Sequence, residues 1–230
     1  MIDKISKIAR VENHVKRDPL RYNTNLPLSI KVLGKLSYNR YKLILGKREF
    51  TAKSLKELKK GESYWGDLNH TKEGIISLSN LVKKPDILDI EEFFLSDELF
   101  CDNLRDGDTE KFKKTVINLI SKEKDRYKLL SLGYMLQALL EGVIHLPLLI
   151  ENRRVLFQMK RVEEETLFYM GFENLGPIRG FFGKNRRGVE VLFRKSFSYI
   201  YPLFEEWDLK IKDMVNPLFN PSSLLLDTRG

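Results

Sequence analysis

The residues of this chain that could do acid–base, nucleophilic or metal chemistry are few and scattered. His14, His70 and His145 stand far apart, and Cys101 is the only cysteine. A zinc site needs Cys or His ligands paired at short spacing, so neither a Cys-rich nor a His-based metal centre is expected. Cys101 has no histidine beside it in sequence, and a buried structural thiol is the expectation rather than an activated nucleophile. His145 sits in an apolar run ahead of Pro147 and reads as a core histidine. Glu163-Glu164-Glu165 are consecutive, so their carboxylates diverge instead of converging as an acid–base pair must. Glu91-Glu92 and Glu205-Glu206 read the same way. The glycines of Gly176-Pro177-Ile178-Arg179-Gly180 are wrongly spaced for a phosphate loop, and no G-x-S-x-G or H-E-x-x-H motif occurs. The expectation is a non-enzymatic protein with no catalytic residues, no metal and no cofactor.

Positive charge interleaved with aromatic rings is the second kind of chemistry on offer. Lys31, Lys35, Arg40, Lys42, Lys47, Arg48, Lys53, Lys56, Lys59, Lys60 and Lys72 alternate with Tyr38, Tyr41, Tyr64 and Trp65. Small barrels bind single strands with a basic groove and aromatic platforms. Lysine is also the ordinary solvated residue of a small strand, and Tyr41 and Trp65 fall at core positions. Both readings stand at this point, together with contact to an acidic protein surface. The candidate nucleic-acid contacts are Lys42, Lys47, Arg48, Lys59 and Lys60, joined by Arg186 and Arg187 from the basic turn at residues 184–188.

The elements that must position these residues follow from charge and periodicity. The 230 residues are 42% hydrophobic and 31% charged, with net charge +8, which are the values of a globular chain. Residues 1–25 carry +3, residues 26–84 carry +8, residues 85–150 carry −5 and residues 151–230 carry +2. The excess is local, which suggests separate modules. The most apolar stretch, residues 129–150, still holds Gln137, Glu141 and His145, so no transmembrane segment is expected. The N-terminus lacks the apolar region of a secretory signal, and a cytoplasmic location is expected.

Ile2, Ile5, Ile8, Ala9, Glu12 and Val15 predict a short amphipathic helix in residues 1–25. Residues 26–84 alternate apolar and polar positions, with turns at Gly46-Lys47, Gly61 and Glu73-Gly74. They predict a small five-stranded β-barrel. Residues 85–142 read as a helical connector. It starts at Pro85 and holds one helix capped by Asp108 or Thr109 and a second from about Asp125 to Leu140, apolar over most of its circumference. Residues 143–230 predict an α+β domain. Its strands are Thr166–Phe172, Ile178–Phe182 and Gly188–Phe193, its helix is capped by Ser196 and broken at Pro202, and a last strand lies in LKIKDMV. The fold expected is α+β: N-terminal helix, five-stranded barrel, helical connector and a C-terminal α/β sandwich of three or four strands.

The C-terminal part resembles the C-terminal domain of flagellar hook-length control proteins, over about residues 160–225. The resemblance rests on an order of elements and one turn. Leu167 to Phe172 is followed by Glu173-Asn174-Leu175-Gly176, then Ile178 to Phe182, then Val189 to Phe193, then Phe197, Ile200, Leu203 and Phe204. Glu173 occupies the glutamate position of the family's Pro-Glu pair, while Phe172 stands where the family has proline. The resemblance implies a binding or regulatory protein that contacts the flagellar type III export gate, a compact relative without the long polar N-terminal region. It implies partner contact around Leu175, Gly176, Pro177, Ile178 and Phe181, on an edge formed by the strand from Ile178 to Phe182. The alternative is a nucleic-acid-binding protein that uses the basic barrel. Oligomeric state is not readable.

Overall fold

In the computed structural model, the structure describes residues 9–12, 26–46, 48–54, 56–70, 76–96 and 109–221. The chain is mixed α+β with two sheets. The first sheet holds β1 (Ala9–Glu12), β2 (Leu28–Ser37), β3 (Arg40–Leu45), β4 (Arg48–Lys53), β5 (Ser63–His70) and β6 (Ile76–Lys83). The β3–β4 hairpin forms where the sequence places it. Gly46 takes φ +60°, as the tight turn requires, and Tyr41, Leu43 and Leu45 all point inward. Ile30, Val32, Ala52, Leu58 and Tyr64 complete that core.

Two expectations fail here. Among the described residues the sheet has six strands, in the order β1-β4-β3-β2-β5-β6, not five. The extra strand is β1, in the middle of the expected N-terminal helix. Val11 pairs with Ala52 of β4, and Ala9 pairs with Leu78 of β6, so the order closes on itself. The reason is non-local. β4 and β6 each have an unpaired edge, and pairing both with one segment outweighs a helical periodicity of a few residues. The rest of that helix, and the turn at Glu73-Gly74, lie outside the described residues. So do Asp108 as a cap and Cys101.

Two 3-10 turns, Asp86–Asp89 and Glu91–Phe93, lead into β7 (Leu95–Ser96). Two helices follow, α1 (Thr109–Lys122) and α2 (Arg126–Leu140). The second helix starts where expected, and Asp125 caps it: its Oδ1 accepts from Tyr127 N at 2.9 Å and Lys128 N at 3.0 Å. The helices lie against the second sheet. Phe112 and Val116 of α1 and Leu132 and Met135 of α2 pack on Leu95, Leu146 and Leu148.

The second sheet is larger than the three or four strands expected. It adds to β7 the strands β8 (Ile144–Ile150), β9 (Arg153–Val162), β10 (Glu165–Phe172), β11 (Gly176–Gly183), β12 (Arg187–Val191) and β13 (Asp208–Ile211). Their order is β13-β12-β11-β10-β9-β8-β7. β8 to β12 form an antiparallel meander, and β13 lies parallel to β12. Pro147 is tolerated inside β8 because β7 pairs only with Leu148 and Leu149. Between β12 and β13 runs α3 (Arg194–Ile200), continued by a 3-10 turn at Tyr201–Leu203 where Pro202 stops the helix. Ser196 is not its cap: Phe193 is, and buried Ser196 instead donates from Oγ to Leu175 O at 2.5 Å.

Side chains alternate across this sheet. Phe168, Ile178, Val189, Val191 and Leu209 face α3, with Ile200, Phe204 and Trp207 above them. Gly180 is needed on that face, since a Cβ there would press on the Phe168 ring and come within 2.7 Å of Gly188 O. Gly180→Ala is expected to cost about 1–3 kcal/mol by overpacking. An unchanged denaturation midpoint would show that Phe168 can move aside.

The opposite face carries Leu156 and Tyr169 and meets the first sheet through Trp65. Trp65 is buried, as its core position predicts, in the core it shares with the second sheet and not in that of the barrel. Its Nε1 donates to Phe172 O at 3.0 Å and Glu173 O at 3.2 Å. Arg154 and Glu173 form an ion pair nearby. Lys84 is buried between the units. Its Nζ lies 2.8 Å from Asp89 Oδ1 and donates to Ser29 Oγ at 3.0 Å.

Candidate binding surfaces

Leu175, Gly176, Pro177, Ile178 and Phe181 do not form one exposed face. Gly176, Pro177 and Ile178 are buried, and Leu175 and Phe181 are half-buried. Gly176 adopts φ +75° and a Cβ would sit 2.7 Å from the Phe193 ring, so this turn is built into the core. The expected edge is also absent. β11 is hydrogen-bonded on both sides, to β10 and to β12, and the edges of this sheet are β13 and β7. A meander places its middle strands inside by construction, and at this end of the sheet β13 has β12 as its neighbour.

The C-terminal unit does expose apolar side chains at that β13 edge. Tyr199 is 61% exposed and Leu203 74%, with Tyr201 exposed beside them. Ile211, in register with Val191, lies on the same side of the sheet as α3 and is also exposed. Sequence reasoning missed these residues because Tyr199 and Leu203 share the four-residue spacing of a core stripe. Only the packing tells that Ile200, not they, fills the core. Asp208 and Lys210 put charge on β13 itself, which blunts indiscriminate strand addition.

The basic candidates divide. Arg186 donates to both carboxylate oxygens of Glu165, which holds that carboxyl below its usual range and raises the guanidinium. Arg187 donates to Glu206 at 2.5 Å. Lys42 Nζ lies 2.6 Å from Glu49, so these three are already matched with acids. Lys59 and Lys60 are exposed on a loop pinned from below: Tyr64 Oη donates to Glu62 at 2.6 Å, and Lys83 Nζ donates to the same carboxylate at 3.0 Å. Burial, reinforced by that bond, pushes the Tyr64 phenol up to about 12. Arg48 is exposed at the start of β4, and Lys47 lies outside the described residues.

The β2–β3 hairpin holds what the sequence reading weighted least. β2 loses regular pairing at Val32/Gly34 and again at Lys35/Ser37, so Lys35 to Tyr38 are exposed in succession. Tyr38 is 92% exposed and Leu36 57%.

His145 is fully buried, and Gln158 fixes its ring. Gln158 Oε1 accepts from Leu218 N at 2.7 Å and Phe219 N at 3.1 Å, and its Nε2 donates to Phe219 O at 2.7 Å. That amide orientation leaves Nε2, 2.9 Å from His145 Nδ1, as the donor. His145 Nδ1 therefore accepts and the ring proton sits on Nε2. Desolvation drives its pKa down to about 3. This arrangement clasps the C-terminal segment to β8 and β9.

No group of three or more His, Cys, Asp or Glu among the described residues could hold a metal ion. Among the same residues, no helix is long and apolar enough to cross a membrane. No protein-family model, curated protein or solved structure matches the chain.

Proposed function

We propose that the chain is a non-enzymatic binding protein with a regulatory role, acting in the cytoplasm through a protein partner docked on its C-terminal unit. The observation that carries this reading is the apolar corner of α3 and the turn after it, Tyr199, Tyr201 and Leu203, beside Ile211 at the β13 edge. Several large apolar side chains grouped at one surface mark an interaction site more often than isolated ones do. The partner proposed is the cytoplasmic part of the flagellar type III export gate. Support for it comes from the order β10, turn, β11, β12, α3, which is the order on which the hook-length resemblance rests. Nucleic-acid binding is a second reading, favoured by the cationic hairpin around Tyr38 on the barrel.

The test is titration of the purified chain with the soluble gate domain. Micromolar binding is expected. Leu203→Asp with Tyr199→Asp should weaken it at least about tenfold, as loss of a central apolar contact does. Both side chains face solvent, so thermal unfolding should stay put. Absence of binding to the gate domain would end the flagellar reading.

A further inference from the structure

We propose that the outer face and tip of the β2–β3 hairpin form a binding site for single-stranded nucleic acid. This site uses no residue of the α3 corner, so the failure of either proposal leaves the other standing. Residues 26–48 contain six Lys and Arg and no Asp or Glu. The fold turns that run into a surface. Arg40, Lys42 and Ile44 alternate with the inward Tyr41, Leu43 and Leu45, and so share the outer face of β3. Lys31, exposed on β2, pairs with Ile44 and therefore lies diagonal to Lys42. Same-face residues on one strand are about 7 Å apart, so Arg40 and Lys42 form a row along which an extended phosphate backbone can run.

Gly34 sits across from Lys42, and a Cβ there would meet nothing within 4 Å, so the floor beside this row is open. The row ends at Tyr38, whose ring stands almost wholly in water beside exposed Leu36. An exposed ring bounded by cations suits a base stacked on its face with phosphates on either side. A duplex keeps its bases stacked on each other and offers the ring nothing, so the site selects single strands. Glu49, paired with Lys42, and Glu57, 4.0 Å from Lys35 Nζ, meet these lysines in solvent-exposed pairs, which hold weakly enough for a phosphate backbone to displace them.

The test is fluorescence anisotropy of a labelled oligothymidylate with the full chain, at salt from about 20 mM to about 200 mM. Micromolar binding at low salt is expected, with a log–log salt slope near −2 for about three phosphates neutralised. Tyr38→Ala should weaken binding about tenfold and leave the slope unchanged, because stacking carries no counterion release. Lys31→Gln with Lys42→Gln, the two lysines on the outer face, should flatten the slope by roughly 1.4. All three side chains are exposed, so circular dichroism and melting should not change. Three results would each overturn the site: no binding at low salt, equal affinity for duplex, or inorganic polyphosphate competing as well as the oligonucleotide while Tyr38→Ala binds normally.

Discussion

Trp65→Ala is expected to lower stability by about 3–5 kcal/mol and to split one unfolding transition into two. Trp65 is the side chain of β5 that leaves the barrel and enters the core of the other sheet, against Leu88, Leu156, Tyr169 and Phe193. Removing the indole opens a large cavity where the first sheet meets the apolar core of the second. It also removes the donor to Phe172 O and Glu173 O. Lys84 would still tie Ser29 of β2 to Asp89 of the 3-10 turn that packs on the second sheet. A buried pair is a weak substitute, because its attraction is largely offset by desolvation. For a chain of this size the loss corresponds to a melting shift of roughly 10 °C. Trp65→Phe keeps most of the fill and loses the hydrogen bonds, at about 1–2 kcal/mol. Calorimetry with a far-ultraviolet probe reads both. A Trp65→Ala protein that still melts in one transition within a few degrees of the original would show that the units are coupled elsewhere.

Trp65 also shows where the sequence stops being readable. Tyr64 and Trp65 are adjacent aromatics on one strand, so period-2 alternation sends them to opposite faces. It does not say which face has a neighbour. Tyr64 turned into the barrel and Trp65 out to the second sheet. Local signals were reliable where the structure is local: the Gly46 turn, the span of the second helix from about Asp125 to Leu140, the alternation of Tyr41, Leu43 and Leu45. They failed where a partner far along the chain decides. β1 is a strand because β4 and β6 need it, and β13 joins β12 in parallel after a helical crossover. The candidate sites follow the same division. Basic residues were visible by type, but the pairing of Lys42 with Glu49, Arg186 with Glu165 and Arg187 with Glu206 depends on register and on loops meeting. Leu175 to Phe181 looked like an edge because the sequence predicts the strand Gly188–Phe193 without saying which strand it lies beside. With β12 in place, that segment is interior.

The His145–Gln158 clasp predicts a pH dependence with a definite sign. The imidazole titrates near 6.5 in the unfolded chain and is held neutral down to about 3 in the folded one. Between those values the unfolded state binds one more proton than the native state. Stability is therefore full above about pH 6.5 and falls as pH drops, by about 1.4 kcal/mol per unit, levelling below pH 3. From pH 7.5 to pH 5 the loss from this residue is about 2 kcal/mol. Burial is the whole cause of the shift, with no charged partner to offset it. Protonation at Nδ1 would also set an N–H against the Gln158 amide N–H. Gln158→Leu should cost about 3–5 kcal/mol at neutral pH, because Leu218 N, Phe219 N and Phe219 O all lose their partner inside the protein. Hydrogen exchange at the Leu218 and Phe219 amides should speed up first. His145→Phe removes the titrating group and should flatten the acid limb of the stability curve by the same 2 kcal/mol or so between pH 7.5 and pH 5. An acid limb unchanged in His145→Phe would show that carboxylate pairs, not this imidazole, set the acid sensitivity of the fold.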